Sequence, residues 1–486
     1  MITQKEVLIN FIWKMAERCG SQIISFVVSI ILARLLMPSD YGMIALCMVF
    51  ILILQVFADS GLATALIQKK DPDNLDYSTV FYTNMCISVF LYGVMYFSAP
   101  SIADFYHMPG LIPVIRVLSL VLIGNGLQNV QQAYVSKHMI FKRFFYSTLG
   151  ASLASAAVGI YMAYNGYGIW ALVAQQLLGR YVSASILWIT VPFRPLLQFS
   201  FSRLRSLFSF GWKLLISSLI SCGSDQLWQL IIGKVYSPAD LAYFNQGKKF
   251  PEIIVSNIDA SINSILLPTM ASVQDHRERV RDMTRRAIKT SIFIMAPLML
   301  ILAFSADHVV MLVLTEKWLP CVPYLCIFCI NYMFWPVHTA NLNAINALGR
   351  SDIFLKLEII KNIIGIGIII FTMQYSVLAM ALGTIISGIC SQIINAWPNK
   401  KLLNYSYLEQ LHDFMPSVCL AGISGAVSYL VGVLLPLPLL ILLFIQGITG
   451  ICVYLSLSYA FKLDSLMYLI NLSMRLKVNQ KTINAG

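Results

Sequence analysis

The sequence predicts an all-α integral membrane protein of about fourteen transmembrane helices, and three observations carry that prediction. Charges are scarce, apolar runs recur along almost the whole chain, and basic residues gather in alternate connections. Of the 486 residues 58% are hydrophobic and only 12% are charged, with a mean hydropathy of +0.74. A soluble protein has about 25% charged residues, so this chain has too few to cover a water-facing surface.

The apolar runs fall near 11–36, 41–67, 77–103, 111–136, 144–165, 168–193, 209–235, 240–268, 287–314, 320–348, 353–374, 376–398, 412–435 and 437–461. Each is long enough to cross the hydrocarbon layer as a helix, which takes about 20 residues. The alternating strand patterns of a barrel are absent. The first run opens with Trp13, Lys14, Glu17 and Arg18, and no small-residue cleavage site follows. It reads as a retained helix and not as a removable signal peptide.

Lys and Arg are held on the cytoplasmic side of spanning segments. The even-numbered connections and the two ends together hold twenty-seven of them, whereas the odd connections hold only Arg34, Arg116, Lys234 and Lys317. This places both termini in the cytoplasm, as an even number of spans requires. The net charge of +12 is then mostly a property of cytoplasmic loops facing anionic membrane lipids. The basic stretch HRERVRDMTRRAIK (276–289) follows from the same rule, and no nucleic-acid partner is expected. Ten cysteines lie almost entirely inside spans; Cys321, Cys326 and Cys329 lack a fourth ligand nearby and read as small apolar residues, so no metal site and no cofactor is predicted.

The chain repeats itself at an offset of 200. Ile31, Pro38, Asp40, Phe50, Ile53, Asp59 and Leu66 match Ile231, Pro238, Asp240, Phe250, Ile253, Asp259 and Leu266, and Arg34 and Lys234 keep their charge. Chance alignment of apolar segments would match Leu and Ile readily, but not a Pro and two acids. Six spans separate the copies, an even number, so the repeats are parallel. Residues 1–200 are expected to form an N-terminal lobe, 201–400 a C-terminal lobe, and 401–486 two further spans with a cytoplasmic amphipathic tail that begins at Lys462. Pro38 and Pro238 are expected to end the first helix of each lobe. Asp40 and Asp240 then suit the N-cap of the next helix, which makes all four residues structural. PLLQFSFSRLRSLFSFGWK (195–213), between the lobes, alternates aromatic and basic residues and reads as an interfacial segment.

The words LARLLMPSDYG (32–42), FADSGLATALIQKK (57–70), ILLPTMASVQD (265–275) and EKW (316–318) give the chain a resemblance. It resembles the polysaccharide exporter branch of the multidrug/oligosaccharidyl-lipid/polysaccharide flippase superfamily over essentially its whole length. The resemblance implies a multi-pass protein of the bacterial cytoplasmic (inner) membrane. It further implies flipping of a lipid-linked oligosaccharide to the outer leaflet during capsule, exopolysaccharide or lipopolysaccharide assembly, by alternating access of two lobes. Glycan polymerase or other assembly proteins are the partners that go with that role.

Ionisable and amide groups inside spans are costly and usually face a cavity or a partner. Asn245, Lys249, Glu252, Ser256, Asp259 and Asn263 share one face of the eighth span, and Lys248 stands four residues before Glu252. The first span carries Lys14, Arg18, Ser21 and Gln22; the seventh carries Ser217, Ser221, Asp225 and Gln229. Arg180 lies mid-span beside Gln176 without an acidic neighbour in sequence, and Asp59 has no local cation. Given the resemblance, a polyprenyl pyrophosphate would be met by Lys14, Arg18, Arg180, Lys248 and Lys249 through charge-assisted hydrogen bonds. Gln128, Gln132, Gln176, Gln229, Asn245 and Asn341 offer the donors and acceptors that sugar hydroxyls need. Asp59, Asp225, Glu252 and Asp259 either couple transport to protons or sodium or balance the cations.

Two other functions remain open at this stage. An ion-coupled drug or cation antiporter of the same superfamily would favour an acidic, aromatic cavity, whereas the candidate residues here are rich in Lys and Arg. A membrane glycan polymerase or ligase would need a catalytic group on the outer surface, where SIADFYHMPG (101–110) offers little beyond Asp104 and His107. No G-x-x-x-x-G-K-[ST] phosphate loop is present, which disfavours an ATP-driven pump. The chain therefore reads as a transporter and not as an enzyme.

Overall fold

The computed structural model describes residues 4–59 and 61–470, and these are helical throughout with no strand among them. In chain order the helices are α1 (Gln4–Leu35), α2 (Pro38–Asp59), α3 (Leu62–Gln68), α4 (Asn74–Tyr106), α5 (Leu111–Leu118), α6 (Leu120–Lys137), α7 (Phe141–Tyr164), α8 (Ile169–Thr190) and α9 (Phe201–Val235). They continue with α10 (Pro238–Ala271), α11 (Arg277–Phe304), α12 (Ala306–Val313), a 3-10 segment (Glu316–Cys321), α13 (Val322–Met333), α14 (Trp335–Ala347), α15 (Ser351–Thr372), α16 (Val377–Leu402), α17 (Tyr407–Leu434) and α18 (Leu439–Ala460). Every predicted apolar run coincides with one helix or with a pair broken at a turn. Among the described residues eleven segments are long and apolar enough to cross a membrane, and a twelfth is α9 if its two parts, bent by 56° between Phe201–Ser209 and Leu214–Val235, form one span. Helices α8 and α15, each of 22 residues, are the predicted spans outside that number.

The chain divides into two compact units, Met1–Ala242 and Tyr243–Gly486. Packing, and not sequence repetition, sets this division: α9 belongs with the first unit because it lies against α2. A β-carbon at Gly42 would stand 1.8 Å from the Pro238 carbonyl oxygen, and one at Gly233 would stand 2.0 Å from Leu46 Cδ2. Only glycine permits so close an approach. The break between α2 and α3 depends on Gly61, whose φ of 67° is open to glycine at little cost.

The paired proline turns differ from expectation. Helices α1 and α9 end at Leu35 and Val235, and Pro38 and Pro238 open the next helices, where a missing N–H costs nothing. Asp40 and Asp240 are consequently not N-caps. Each lies on the first turn and reaches back: Met37 N–H donates to Asp40 at 3.2 Å, and Ser237 N–H donates to Asp240 at 3.2 Å. Ser237 completes the second capping box with its hydroxyl, 2.7 Å from the carboxylate.

Within the first unit an apolar core beneath α3, α4, α6 and α8 contains Leu66, Tyr77, Phe81, Val130, Leu187 and Phe193. At its basic end Lys69 pairs with the buried Asp76 at 2.6 Å, and Arg203 of α9 reaches Asp73 at 2.6 Å and Asp76 at 3.1 Å. Within the second unit the basic run at the start of α11 finds acids on α17. Arg285 makes a bidentate pair with Asp413 at 2.6 and 2.7 Å, and Arg281 reaches Glu409 at 3.4 Å. Tyr405 donates to the same Asp413 at 2.9 Å. Part of the expected amphipathic tail, residues 471–486 with Met474, Arg475, Lys477 and Lys481, lies outside the described residues.

Two predictions follow from this packing. Gly42→Ala should lower the thermal midpoint by the equivalent of about 1–3 kcal/mol through overpacking. Gly93→Ala, where an added β-carbon meets nothing within 4 Å, should not destabilise. The second concerns Asp73, where burial acts to raise the carboxyl; the Asp76 N–H and the Arg203 guanidinium outweigh it and hold the group below its usual range. The stability it contributes is therefore present above the ordinary carboxylate value of about 4 and is lost as pH falls through and below it. Melting curves of wild type and Arg203→Gln should lie farthest apart at neutral pH and converge in acid.

Candidate functional site

Asp59 ends α2, so its carboxylate sits where the helix dipole is already negative and needs compensation from elsewhere. Asn129 of α6 supplies a hydrogen bond, its Nδ2 donating to Asp59 Oδ1 at 2.6 Å. Arg180 of α8 supplies the opposite charge through space, without a direct hydrogen bond or ion pair. Neither charge has an opposite one near it in sequence; the fold sets them within electrostatic reach of each other across 121 residues of chain.

The position of Arg180 is set by a clamp between α6 and α8. Gln128 Nε2 donates to Ser183 Oγ at 2.9 Å, and Ser147 of α7 shares a 2.7 Å hydrogen bond with the same hydroxyl. Tyr181 donates to the Leu120 carbonyl and Trp188 to the Leu127 carbonyl, each at 3.0 Å. The guanidinium's five donors are thus held on a fixed backbone, and among the described residues none of them meets a direct acceptor.

The second unit holds the repeat counterpart with different chemistry. Asp259 accepts from the Thr339 hydroxyl of α14 and, at 3.0 Å, from Asn263 Nδ2 on its own helix. Asn343 extends the chain, donating to Asn263 Oδ1 at 2.7 Å. Neutral donors here stand in place of the arginine. Helix α10 runs on past Asp259 to Ala271, which provides Asn263, whereas α2 stops at Asp59.

The remaining candidates separate into three groups. Gln128 and Asn341 are both buried: Asn341 exchanges hydrogen bonds with Gln410 at 2.8 and 3.0 Å and accepts from Asn399 at 2.7 Å, which commits its amide to packing, whereas Gln128 commits Nε2 to Ser183 and leaves Oε1 without a partner among the described residues. Lys14 pairs with Glu17 at 2.8 Å and lies 5.1 Å from the Phe144 ring, and Gln229 donates to Gln226 at 2.9 Å. Glu252 interacts with Lys249, three residues before it, and not in a direct pair with Lys248. Arg18, Gln176 and Asp225 are exposed, and Gln132, Asn245, Lys248 and Lys249 are half-buried. Sequence reading missed Asn129 and Thr339. Their only signal was their place on the helices that correspond between the repeats.

Chemically, the first unit can present a cation with free donors, and its acid neighbour prevents that cation from being an isolated charge in an apolar bundle. The arrangement suits an anion that arrives with its own acceptors, such as a phosphate.

Comparison with known proteins gives a consistent result. Residues 31–323 match the family model described as "Polysaccharide biosynthesis protein". The chain is 24% identical over 418 residues to the lipopolysaccharide biosynthesis protein WzxC of Escherichia coli, covering 83% of each chain. It is 22% identical over 386 residues to the teichuronic acid biosynthesis protein TuaB of Bacillus subtilis, covering 77% of this chain and 78% of the other. Among solved structures, the lipid II flippase MurJ in an inward closed conformation superposes with a TM-score of 0.74 at 17% identity, covering 93% of this chain and 98% of that one. An inward-facing multidrug resistance MATE family transporter of the MOP superfamily gives 0.60 at 14% identity, covering 82% and 95%. At these identities the superpositions establish a shared fold.

The through-space pair is testable as a cycle. Asp59→Asn and Arg180→Gln should each lower stability in detergent, and the double variant should fall short of their sum by about 1 kcal/mol. Strict additivity in the thermal melts would mean that the two charges do not interact.

Proposed function

The chain belongs to the polysaccharide biosynthesis protein family, and on that premise we propose that it is a flippase for a lipid-linked oligosaccharide or polysaccharide repeat unit. It is a multi-pass membrane protein, and the reading places it in the bacterial cytoplasmic membrane with fourteen spans and both termini in the cytoplasm. The helices correspond run by run to the predicted spans, and the basic residues crowd alternate connections, which supports that orientation. The cargo moves from the cytoplasmic to the outer leaflet as the two repeats alternate access. The work is transport and not group transfer, alongside glycan polymerase and assembly proteins as partners.

The observation that carries the reading is Arg180: a guanidinium on a clamped backbone inside the helix bundle, balanced by Asp59 but with its donors uncommitted. A polyprenyl pyrophosphate brings two phosphates and needs such donors. In this reading Arg180 takes a phosphate, and the resulting loss of balance at Asp59 is borne by Asn129. Arg18, Lys248 and Lys249 add charge along the route, Lys14 contributes less because Glu17 already holds it, and Gln132, Gln176, Gln229 and Asn245 meet sugar hydroxyls. Asp259, with its ring of neutral oxygen and amide groups, is the proposed coupling group for a proton or sodium gradient, with Asp225 and Glu252 as charge balance.

Flipping of a lipid-linked oligosaccharide in reconstituted liposomes, at matched protein amounts, tests the reading. Arg180→Ala should reduce the rate about tenfold or more, the value of one charge-assisted phosphate contact, and Lys248→Ala/Lys249→Ala should reduce it less. Imposed proton and sodium gradients in the same liposomes should accelerate wild type and leave Asp259→Asn unaffected. Wild-type protein that flips nothing, or an Arg180→Ala variant that flips normally, would overturn the assignment.

A further inference from the structure

A cavity of about 360 Å³ opens between α3, α4 and the first turns of α9, and neither Asp59 nor Arg180 lines it. Its walls are Leu62, Ile87, Phe201, Leu204 and Phe208, and its one charged member is Arg205. The neighbouring Arg203 is fully engaged by Asp73 and Asp76. Together with Leu196 N–H on Ser78 Oγ at 2.8 Å and Ser200 N–H on Thr79 Oγ1 at 3.3 Å, it ties this end of α9 to α4. The groove therefore has fixed walls. Arg205 itself makes no ion pair or hydrogen bond among the described residues.

Two demands meet at this place. Apolar walls open at the edge of a helix bundle need hydrocarbon against them, and a permanent cation at their rim needs an anion. Phe199, Phe201 and Leu197 beside the groove are exposed, with Leu197 at 96%, which is the pattern of a segment lying at a membrane interface. Lys69, Lys70, Lys137 and Lys142 belong to the same basic side as Arg203 and Arg205. On the orientation proposed above that side is the cytoplasmic leaflet, where anionic lipids concentrate.

We propose that the groove between α3, α4 and α9 is a binding site for an anionic glycerophospholipid of the cytoplasmic leaflet, with an acyl chain against Ile87, Phe201 and Phe208 and the headgroup phosphate on Arg205. A bound lipid there would brace the bent start of α9 against α4. The site shares no residue with the proposed cargo site.

Native mass spectrometry of the full chain in mild detergent, titrated with phosphatidylglycerol or phosphatidylcholine, tests this directly. Wild type should retain phosphatidylglycerol in preference to phosphatidylcholine. Arg205→Gln should weaken phosphatidylglycerol about fivefold, the effect of one basic residue at a lipid surface, without changing phosphatidylcholine. Ile87→Trp, which fills the groove, should weaken both lipids, and Arg279→Gln, an exposed arginine on α11, should change neither. Equal retention of phosphatidylglycerol by Arg205→Gln and wild type would overturn the proposal. So would equal retention of the two lipids by wild type, or displacement of phosphatidylglycerol by equimolar polyprenyl phosphate, which would assign the groove to cargo. The readout involves no flipping, so failure of this site and failure of the flippase reading are separable.

Discussion

An acid and a base inside an apolar helix bundle are the constraint on which the first unit depends. Asp59 stands at the unfavourable end of α2, where both desolvation and the helix dipole oppose its charge. The chain answers with one amide and one guanidinium from two other helices, and holding those helices in register requires the clamp of Gln128, Ser147, Ser183, Tyr181 and Trp188. Much of the buried polarity in α6 and α8 thus serves to place a single cation. A cation balanced through space and not by a direct bond can exchange its environment for a phosphate without first breaking a strong pair.

The two repeats have diverged at this point. In the first, α2 breaks at Gly61 and the acid turns to a distant arginine; in the second, α10 continues and the acid turns to Asn263 and Thr339. The same acid at the same repeat position is therefore set among positive charge in one unit and among neutral donors in the other. An anionic cargo suits the first environment and a small cation suits the second, which divides the proposed binding and coupling roles between the repeats.

The architecture was legible in the sequence because its causes are local. Twenty apolar residues in a row must span, a proline must open or close a helix, and a repeated Pro and Asp at fixed spacing must mark a repeated turn. Even there, Asp40 and Asp240 stand three residues past the N-cap positions, which Met37 and Ser237 occupy before the prolines. The site was legible only as a set of polar residues on helix faces. Which of them face a partner is decided by contacts across 70 to 121 residues of chain, and periodicity does not encode these. Asn341, expected to meet a ligand, hydrogen-bonds to Gln410 and Asn399, Gln128 engages only its Nε2, and Arg180, without an acid near it in sequence, lies within electrostatic reach of Asp59.

In the proposed flippase Arg180 is the phosphate-binding group of the first unit. The most direct measurement is a structure of the protein bound to a polyprenyl-pyrophosphate-linked glycan. The account predicts a phosphate oxygen about 3 Å from the Arg180 guanidinium, with Asp59 still held by Asn129. Phosphates bound elsewhere, with Arg180 unchanged beside Asp59, would contradict it and leave the pair as a structural element alone.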